Sequence, residues 1–210
     1  FGVTSGNFGV YVSRDGGLSW APSPDGMSAF SFVDAQTGLG ASASGIFRTT
    51  DGGTSFASVL AGEAVAVTAL SSSVAVAIVD GIIFRSSNGG STWTAGASAS
   101  GRNRMLKVSA DVVLAYGRGG TFPDFDDRIL RSDDGGQTWI DLGEVIPATA
   151  YAADLNFTVL SASIIVASDG SGNLYRSIDA GLSWSMSHAT PGPSQGFFSN
   201  GPADFVDAQT

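Results

Sequence analysis

Ser86-Ser87-Asn88-Gly89-Gly90-Ser91-Thr92-Trp93 is one of five copies of the pattern Ser/Thr-x-Asp/Asn-x-Gly-x-Ser/Thr-Trp/Phe, and the reading of that octapeptide decides the fold. The other copies run from Ser13 to Trp20, Thr49 to Phe56, Ser132 to Trp139 and Ser177 to Trp184. Their acidic or amide positions, Asp15, Asp51, Asn88, Asp134 and Asp179, are separated by 36, 37, 46 and 45 residues. A period of about forty residues with hairpin chemistry in each unit is the signature of a repeat array such as a propeller.

Each part of the octapeptide has a physical task. The carboxylate or amide accepts hydrogen bonds from backbone N–H groups of the turn it opens. The glycine adopts a conformation closed to other residues, and the aromatic (Trp20, Phe56, Trp93, Trp139 or Trp184) packs under the turn. Apolar, β-rich segments precede it (Val10 to Val12, Ile46 to Phe47, Ile82 to Phe84, Ile129 to Leu130, Leu174 to Tyr175), and a short strand follows. The five acidic or amide side chains belong to five separate hairpins, so they are expected to be structural and not to converge on one ligand.

The pattern resembles the Asp-box, or BNR repeat, of sialidases, sortilin-type propellers, xyloglucan-cleaving glycosidases and the photosystem II stability/assembly factor family. In those families the box closes the turn between the third and fourth strands of a blade, at the outer rim. The phrase from Ser31 to Gly40, running on to the Gly45–Gly53 segment, is most similar to the assembly-factor family. The resemblance implies an all-β propeller of four-stranded antiparallel blades. It also implies a non-catalytic scaffold that binds a membrane-protein complex from its lumenal or extracytoplasmic side, in a thylakoid lumen, a periplasm or outside the cell. The alternatives are a glycan-binding or glycoside-hydrolase-like propeller and a structural subunit of a larger surface assembly.

Within one domain spanning 1–210, the blades are expected at 28–60, 64–97, 104–142 and 150–188, with the first made from 1–21 and 203–210. In the first blade Phe1 to Ser5 reads as the second strand, Gly9 to Arg14 as the third and Leu18 to Ala21 as the fourth. Its missing first strand is sought at Phe205-Val206-Asp207-Ala208-Gln209-Thr210, which repeats Phe32-Val33-Asp34-Ala35-Gln36-Thr37. Pairing of the two terminal segments would close a five-bladed ring and remove an exposed sheet edge. A piece of a larger ring is the competing reading.

Charge and composition narrow the partners. A formal charge of −9 with ten Lys and Arg residues lacks the basic stripe that nucleic acid requires. There is no cysteine, so thiolate chemistry is excluded. The apolar stretch from Val65 to Ile83 is interrupted at Ser71 to Ser73, Asp80 and Gly81, and reads as adjacent strands instead of a membrane span.

Arg48, Arg85, Arg131 and Arg176 each stand three residues before the box Asp or Asn. Such a ring could brace neighbouring blades or clasp carboxylates on a partner. An insertion in the fourth blade, from Gly117 to Arg128, brings Phe122, Asp124, Phe125, Asp126 and Asp127 to the face that carries the loops between blades. There the acidic residues could meet a basic partner, which the net negative charge also accommodates most easily, or a calcium ion, or the loop could fold back over the ring. The Asp-x-Asp-Asp run lacks the rest of a calcium loop, so no metal is assigned. Arg102 and Arg104, and Phe197 and Phe198 in the Pro/Gly-rich segment after 188, extend the same candidate surface.

Catalytic signatures are missing. Tyr11, Tyr116, Tyr151 and Tyr175 lie in or beside expected strands, and no Arg-Ile-Pro segment like that of sialidases is present. The paired carboxylates of a xyloglucan-cleaving cleft would need two propellers. His188 has no triad context and is expected in a loop, and Asn156-Phe157-Thr158 lies in an expected strand. No catalytic residue and no cofactor are assigned.

Overall fold

Short turns between β-rich segments leave each strand beside its predecessor, and the result is a series of antiparallel meanders. The computed structural model describes residues 2–6, 9–13, 17–22, 26–99, 101–117, 119–121, 124–126, 129–143, 145–146, 155–169 and 172–188. Four sheets have four strands each, in chain order from one edge to the other. They are β4 (Ala29–Phe32) to β7 (Ala57–Ala61), and β8 (Ala64–Ala69) to β11 (Thr94–Ser98). The third comprises β12 (Arg104–Lys107), β13 (Val113–Tyr116), β16 (Leu130–Ser132) and β17 (Ile140–Asp141), and the fourth runs from β18 (Asn156–Val159) to β21 (Ser185–His188). A three-stranded sheet, β1 (Gly2–Gly6), β2 (Gly9–Ser13) and β3 (Ala21–Pro22), precedes them. The architecture is a β-propeller of four-stranded blades. The 203–210 segment expected to complete the first blade lies outside the described residues, as do Phe122, Asp127, Phe197, Phe198, Tyr151 and Asp15.

The core lies between blades. In the second strand of the 64–98 blade, β9 (Ala75–Val79), all five residues are buried. Because side chains alternate across a strand, Ala75, Ala77 and Val79 join Leu39, Ala41 and Ile46 of the preceding blade, whereas Val76 and Ile78 join Val113, Ala115 and Leu130 of the next. In β13, Val113 and Ala115 face back and Leu114 faces forward onto Ile165, Ala167 and Tyr175. A strand buried on both faces reads as a continuous apolar run, which is why these second strands carry so little polar sequence. The first strands β4, β8 and β12 pack on one another across blades, so they form the inner edge. The fourth strands β7, β11 and β17 are largely exposed and form the rim.

Two expectations require correction. The fourth strand of the first sheet begins at Ala21 and not at Leu18, because the octapeptide stays a turn through its aromatic; Trp20 Nε1 donates to the Gly17 carbonyl at 3.1 Å. Fourth strands elsewhere likewise start only after the aromatic, at Ala57, Thr94, Ile140 and Ser185. His188 ends β21, where it pairs with Leu174, instead of lying in a loop. The insertion in the fourth blade contains a separate hairpin, in which β14 (Gly119–Thr121) pairs with β15 (Asp124–Asp126) and Gly120 stands opposite Phe125.

One backbone position distinguishes the last repeat. Gly52, Gly89 and Gly135 hold φ of 69°, 66° and 68°, and the equivalent residue of the fifth copy is Ala180 at 58°. An L side chain in that left-handed region costs roughly 1 kcal/mol. Ala180→Gly is therefore expected to raise unfolding stability by up to about 1 kcal/mol, read as a higher denaturant midpoint at unchanged m. Gly135→Ala, where an added Cβ would meet Val74 at an ordinary 3.6 Å, should move the midpoint the opposite way.

Candidate functional site

The repeated turn is hydrogen-bonded almost to saturation. In the second copy, Asp51 Oδ1 accepts from the Thr54 and Ser55 amides, each at 2.9 Å, and from the Thr49 hydroxyl at 2.8 Å, while Oδ2 accepts from the Ser55 hydroxyl at 2.6 Å. Asp134 makes the same set with Gln137, Thr138 and Ser132, and Asp179 with Ser183 and Ser177. In the third copy an amide replaces the acid: Asn88 Oδ1 accepts from the Thr92 amide and Nδ2 donates to the Thr92 hydroxyl. Trp93, Trp139 and Trp184 donate Nε1 to the carbonyls of Gly90, Gly136 and Gly181 in their own turns. Phe56 has no donor and instead packs on Phe30 with ring centroids 5.8 Å apart.

Hydrogen bonds to an ionised carboxylate favour that form. Those from the Ser55 hydroxyl and amide, then Thr49, bring Asp51 down to about 2. Partial desolvation pushes Asp134 upward, but the bonds from Thr138, Ser132 and Gln137 outweigh it and bring the group to about 2. Asp179 is lowered in the same way.

The recurring arginines join blade to blade. Arg48 Nε donates to the Gly89 carbonyl at 2.8 Å, Arg85 Nε to the Gly135 carbonyl at 2.8 Å, and Arg131 Nη1 to the Ala180 carbonyl. Each acceptor belongs to the repeat turn of the following blade. Arg131 is also clamped by Asp133, with Nη2 2.5 Å from Oδ1. Among the described residues, these three guanidiniums are engaged within the fold, facing the next blade.

Of the remaining candidates, Arg102 is buried at 2% exposure. Arg104 and Lys107 are exposed at the two ends of β12 on the inner edge. Arg104 Nη1 reaches the Leu155 carbonyl at 3.4 Å, and Lys107 Nζ donates to the Ala69 carbonyl at 3.3 Å. Burial raises the Tyr116 hydroxyl above its ordinary range, and the Arg104 charge and hydrogen bond oppose that rise. Tyr116 meets Phe157 edge-on at 4.5 Å, and Phe157 meets Trp184 at 5.5 Å. Asp124, Phe125 and Asp126 are placed on β15 by their backbone alone. The structure thus brings Arg104 to the inner edge.

Sequence reasoning missed Lys107 and two carboxylates in second-to-third-strand hairpins. Asp80 accepts from the Glu63 amide at 2.8 Å and ties the entering loop to the blade. Asp169, fully buried, accepts from the Asn173 amide and side chain and from the Tyr175 hydroxyl, at 2.8–2.9 Å. The signal was the Asp-Gly dipeptide at 80–81 and 169–170, which marks a hairpin turn. Among the described residues no group of three His, Cys, Asp or Glu side chains could hold a metal, and no helix is long and apolar enough to cross a membrane. A crevice between Ser31, Thr37, Leu39, Ala69, Ser71 and Gly89, about 220 Å³ of space open to solvent, falls below the usual range of small-molecule sites.

No protein-family model matches the chain, and no curated protein matches it. Solved structures do. The chain is similar to YCF48 bound to a D1 peptide, with a TM-score of 0.57 and 18% identity over 84% of this chain and 60% of that one. It is similar also to an ancestral GH74 enzyme, with a TM-score of 0.59 and 16% identity over 75% of this chain and 23% of that one. For the GH74 enzyme of Niastella koreensis the TM-score is 0.58 and the identity 18%, over 85% and 34%. The chain therefore spans at most 60% of the length of these neighbours, and at such identities the likeness is one of fold.

Acid should weaken the turns in a defined window. A carboxylate whose folded pKa lies below its unfolded value of 3.8 contributes stability that is complete above about pH 4 and is lost as the pH falls toward 2. Thermal midpoints measured across pH 2–4 are expected to drop. The drop should be shallower in Asp51→Asn with Asp134→Asn, because Asn88 shows that an amide builds the turn. The blade bridges have their own test: Arg85→Ala should cost about 1.5–3 kcal/mol, the worth of a hydrogen bond to a charged group. Arg85→Lys should recover little, since lysine has no donor at the Nε position.

Proposed function

We propose that this chain is a non-catalytic protein-interaction module of the Asp-box type. In this reading it holds a membrane-protein complex from its extracytoplasmic or lumenal side, as an assembly factor does. The observation that carries the reading is the make-up of the inner edge. The described first strands Ala29–Phe32, Ala64–Ala69, Arg104–Lys107 and Asn156–Val159 contain no carboxylate, and they contribute Phe30, Phe32, Phe157, Arg104 and Lys107. Glycoside hydrolysis by the usual route needs two carboxyl groups across the bond, one of them with a raised pKa so that it can protonate the leaving group. The carboxylates of the repeat turns are shifted the wrong way for that task and are spent on backbone amides.

An inner edge with two exposed cations and interspersed aromatics suits a peptide segment that carries acidic groups, which Arg in particular can bind in bidentate fashion. The likeness to a propeller solved with a bound peptide supports this reading. The GH74 likeness supports a glycan-binding alternative, which would require an aromatic platform beside a carboxylate pair.

Affinity purification of the wild type and of Arg104→Glu with Lys107→Glu, followed by mass spectrometry, separates the two. A protein partner retained by the wild type and lost by the charge-reversed variant is the expected result. Retention on a glycan array by both proteins, with no protein partner recovered, would overturn the proposal.

A further inference from the structure

The three bridging arginines share a two-part socket. Each stands directly across from an apolar residue of the second strand: Arg48 from Leu39, Arg85 from Val76, and Arg131 from Leu114. The arginine takes the carbonyl of the first of two adjacent residues in the next blade's turn. The apolar side chain lies where a Cβ on the second would sit, Leu39 against Gly90, Val76 against Gly136 and Leu114 against Gly181. Only a glycine fits under the apolar side chain, so the socket recognises the repeat turn itself.

The last described blade has the same socket. Arg176 pairs across from Val166. Ile165 and Ala167 face back into the core shared with the preceding blade, so Val166 faces the other flank. At 8% exposure it is the least covered of the four equivalent residues; Leu39 is at 3% and Val76 and Leu114 at 0%. Beside it, at the position that Asp133 occupies next to Arg131, stands Ile178 at 65% exposure.

The first repeat turn has the matching surface uncovered. Gly17 holds φ of 91°, the same as Gly181. It is exposed, whereas Gly53, Gly90, Gly136 and Gly181 are buried. Among the described residues a Cβ on Gly17 would meet only Trp20 of its own turn. Leu18 is 89% exposed and Trp20 44%.

We propose that the Val166–Arg176 socket receives the first repeat turn, around Gly17, of the same chain, with Arg176 as the latch of the ring. Arg176 then has the structural role of Arg48, Arg85 and Arg131 and is not a site for an external carboxylate. The repeated phrase at 205–210 favours this occupant over a second copy. In the 29–61 blade its counterpart supplies the end of β4 and the turn whose Gln36 carbonyl accepts from the Gly52 amide. The same phrase, following the fifth blade in the chain, would add a strand and a turn of the same kind to the first sheet, which has three strands among the described residues.

The cysteine-free sequence allows a clean test. Val166→Cys with Leu18→Cys is treated with a short bis-maleimide. Val76→Cys with Gln137→Cys, the same pair of positions across two packed blades, serves as the standard. A product at monomer mass, in a yield comparable to the standard, is expected, and Arg176→Ala should reduce that yield. A product at dimer mass, or none under conditions where the standard links, would overturn the proposal.

A second readout needs no cysteine. Acrylamide quenching of Trp20, taken as the difference between the wild type and Trp20→Phe, should match that of the other three tryptophans and increase in Arg176→Ala. If Trp20 is freely quenched already in the wild type, the latch does not form.

Discussion

The residue that follows the acidic or amide residue of the repeat turn, described in four of the copies, is the constraint on which the rest depends. Its N–H is donated within the blade: Gly52 to Gln36, Gly89 to Ser73, Gly135 to Asp111 and Ala180 to Ser163. Its carbonyl is taken, in the last three, by the arginine of the preceding blade. One residue thus fixes the turn against its own first hairpin and fixes the blade against its neighbour. The geometry demands positive φ, and that accounts for glycine there in every copy but the last. Without these contacts, blades held only by apolar second strands could slide, since hydrophobic burial is non-directional. The arginine bridges supply the direction.

Much of this was legible in the sequence because a repeat multiplies weak signals. One Ser-x-Asn-x-Gly-x-Thr-Trp is a turn; five at a near-constant spacing define an array, and the strand following the aromatic is placed by it. The arginines were legible as a recurrence, but their partners were not. A hydrogen bond from Arg85 to Gly135 spans 50 residues and depends on the angle at which blades meet, which no local pattern encodes. The same limit hid Asp169, whose partners Asn173 and Tyr175 close around it only once the hairpin forms. His188 was misplaced for the converse reason, since a fourth strand at the rim is exposed and polar, and its sequence Ser-Met-Ser-His has little to separate it from a loop.

The distribution of charge over the molecule follows from the same architecture. At the rim, Asp51, Asp134 and Asp179 are each bound by several donors and held well down the acid range. Asp80 holds the Glu63 amide, and Asp133 orients Arg131. Asp51, Asp134 and Asp179, bound in this way, stay ionised and are poor proton donors at neutral pH, because a general acid needs a pKa near the working pH. The described first strands, where the blades converge, carry cations and aromatics and no carboxylate. Among the described residues, the carboxylates of the repeat turns are thus engaged in stabilising the blades. A chain with a formal charge of −9 can still carry a local pair of cations such as Arg104 and Lys107, because net charge does not fix how charge is distributed over the surface.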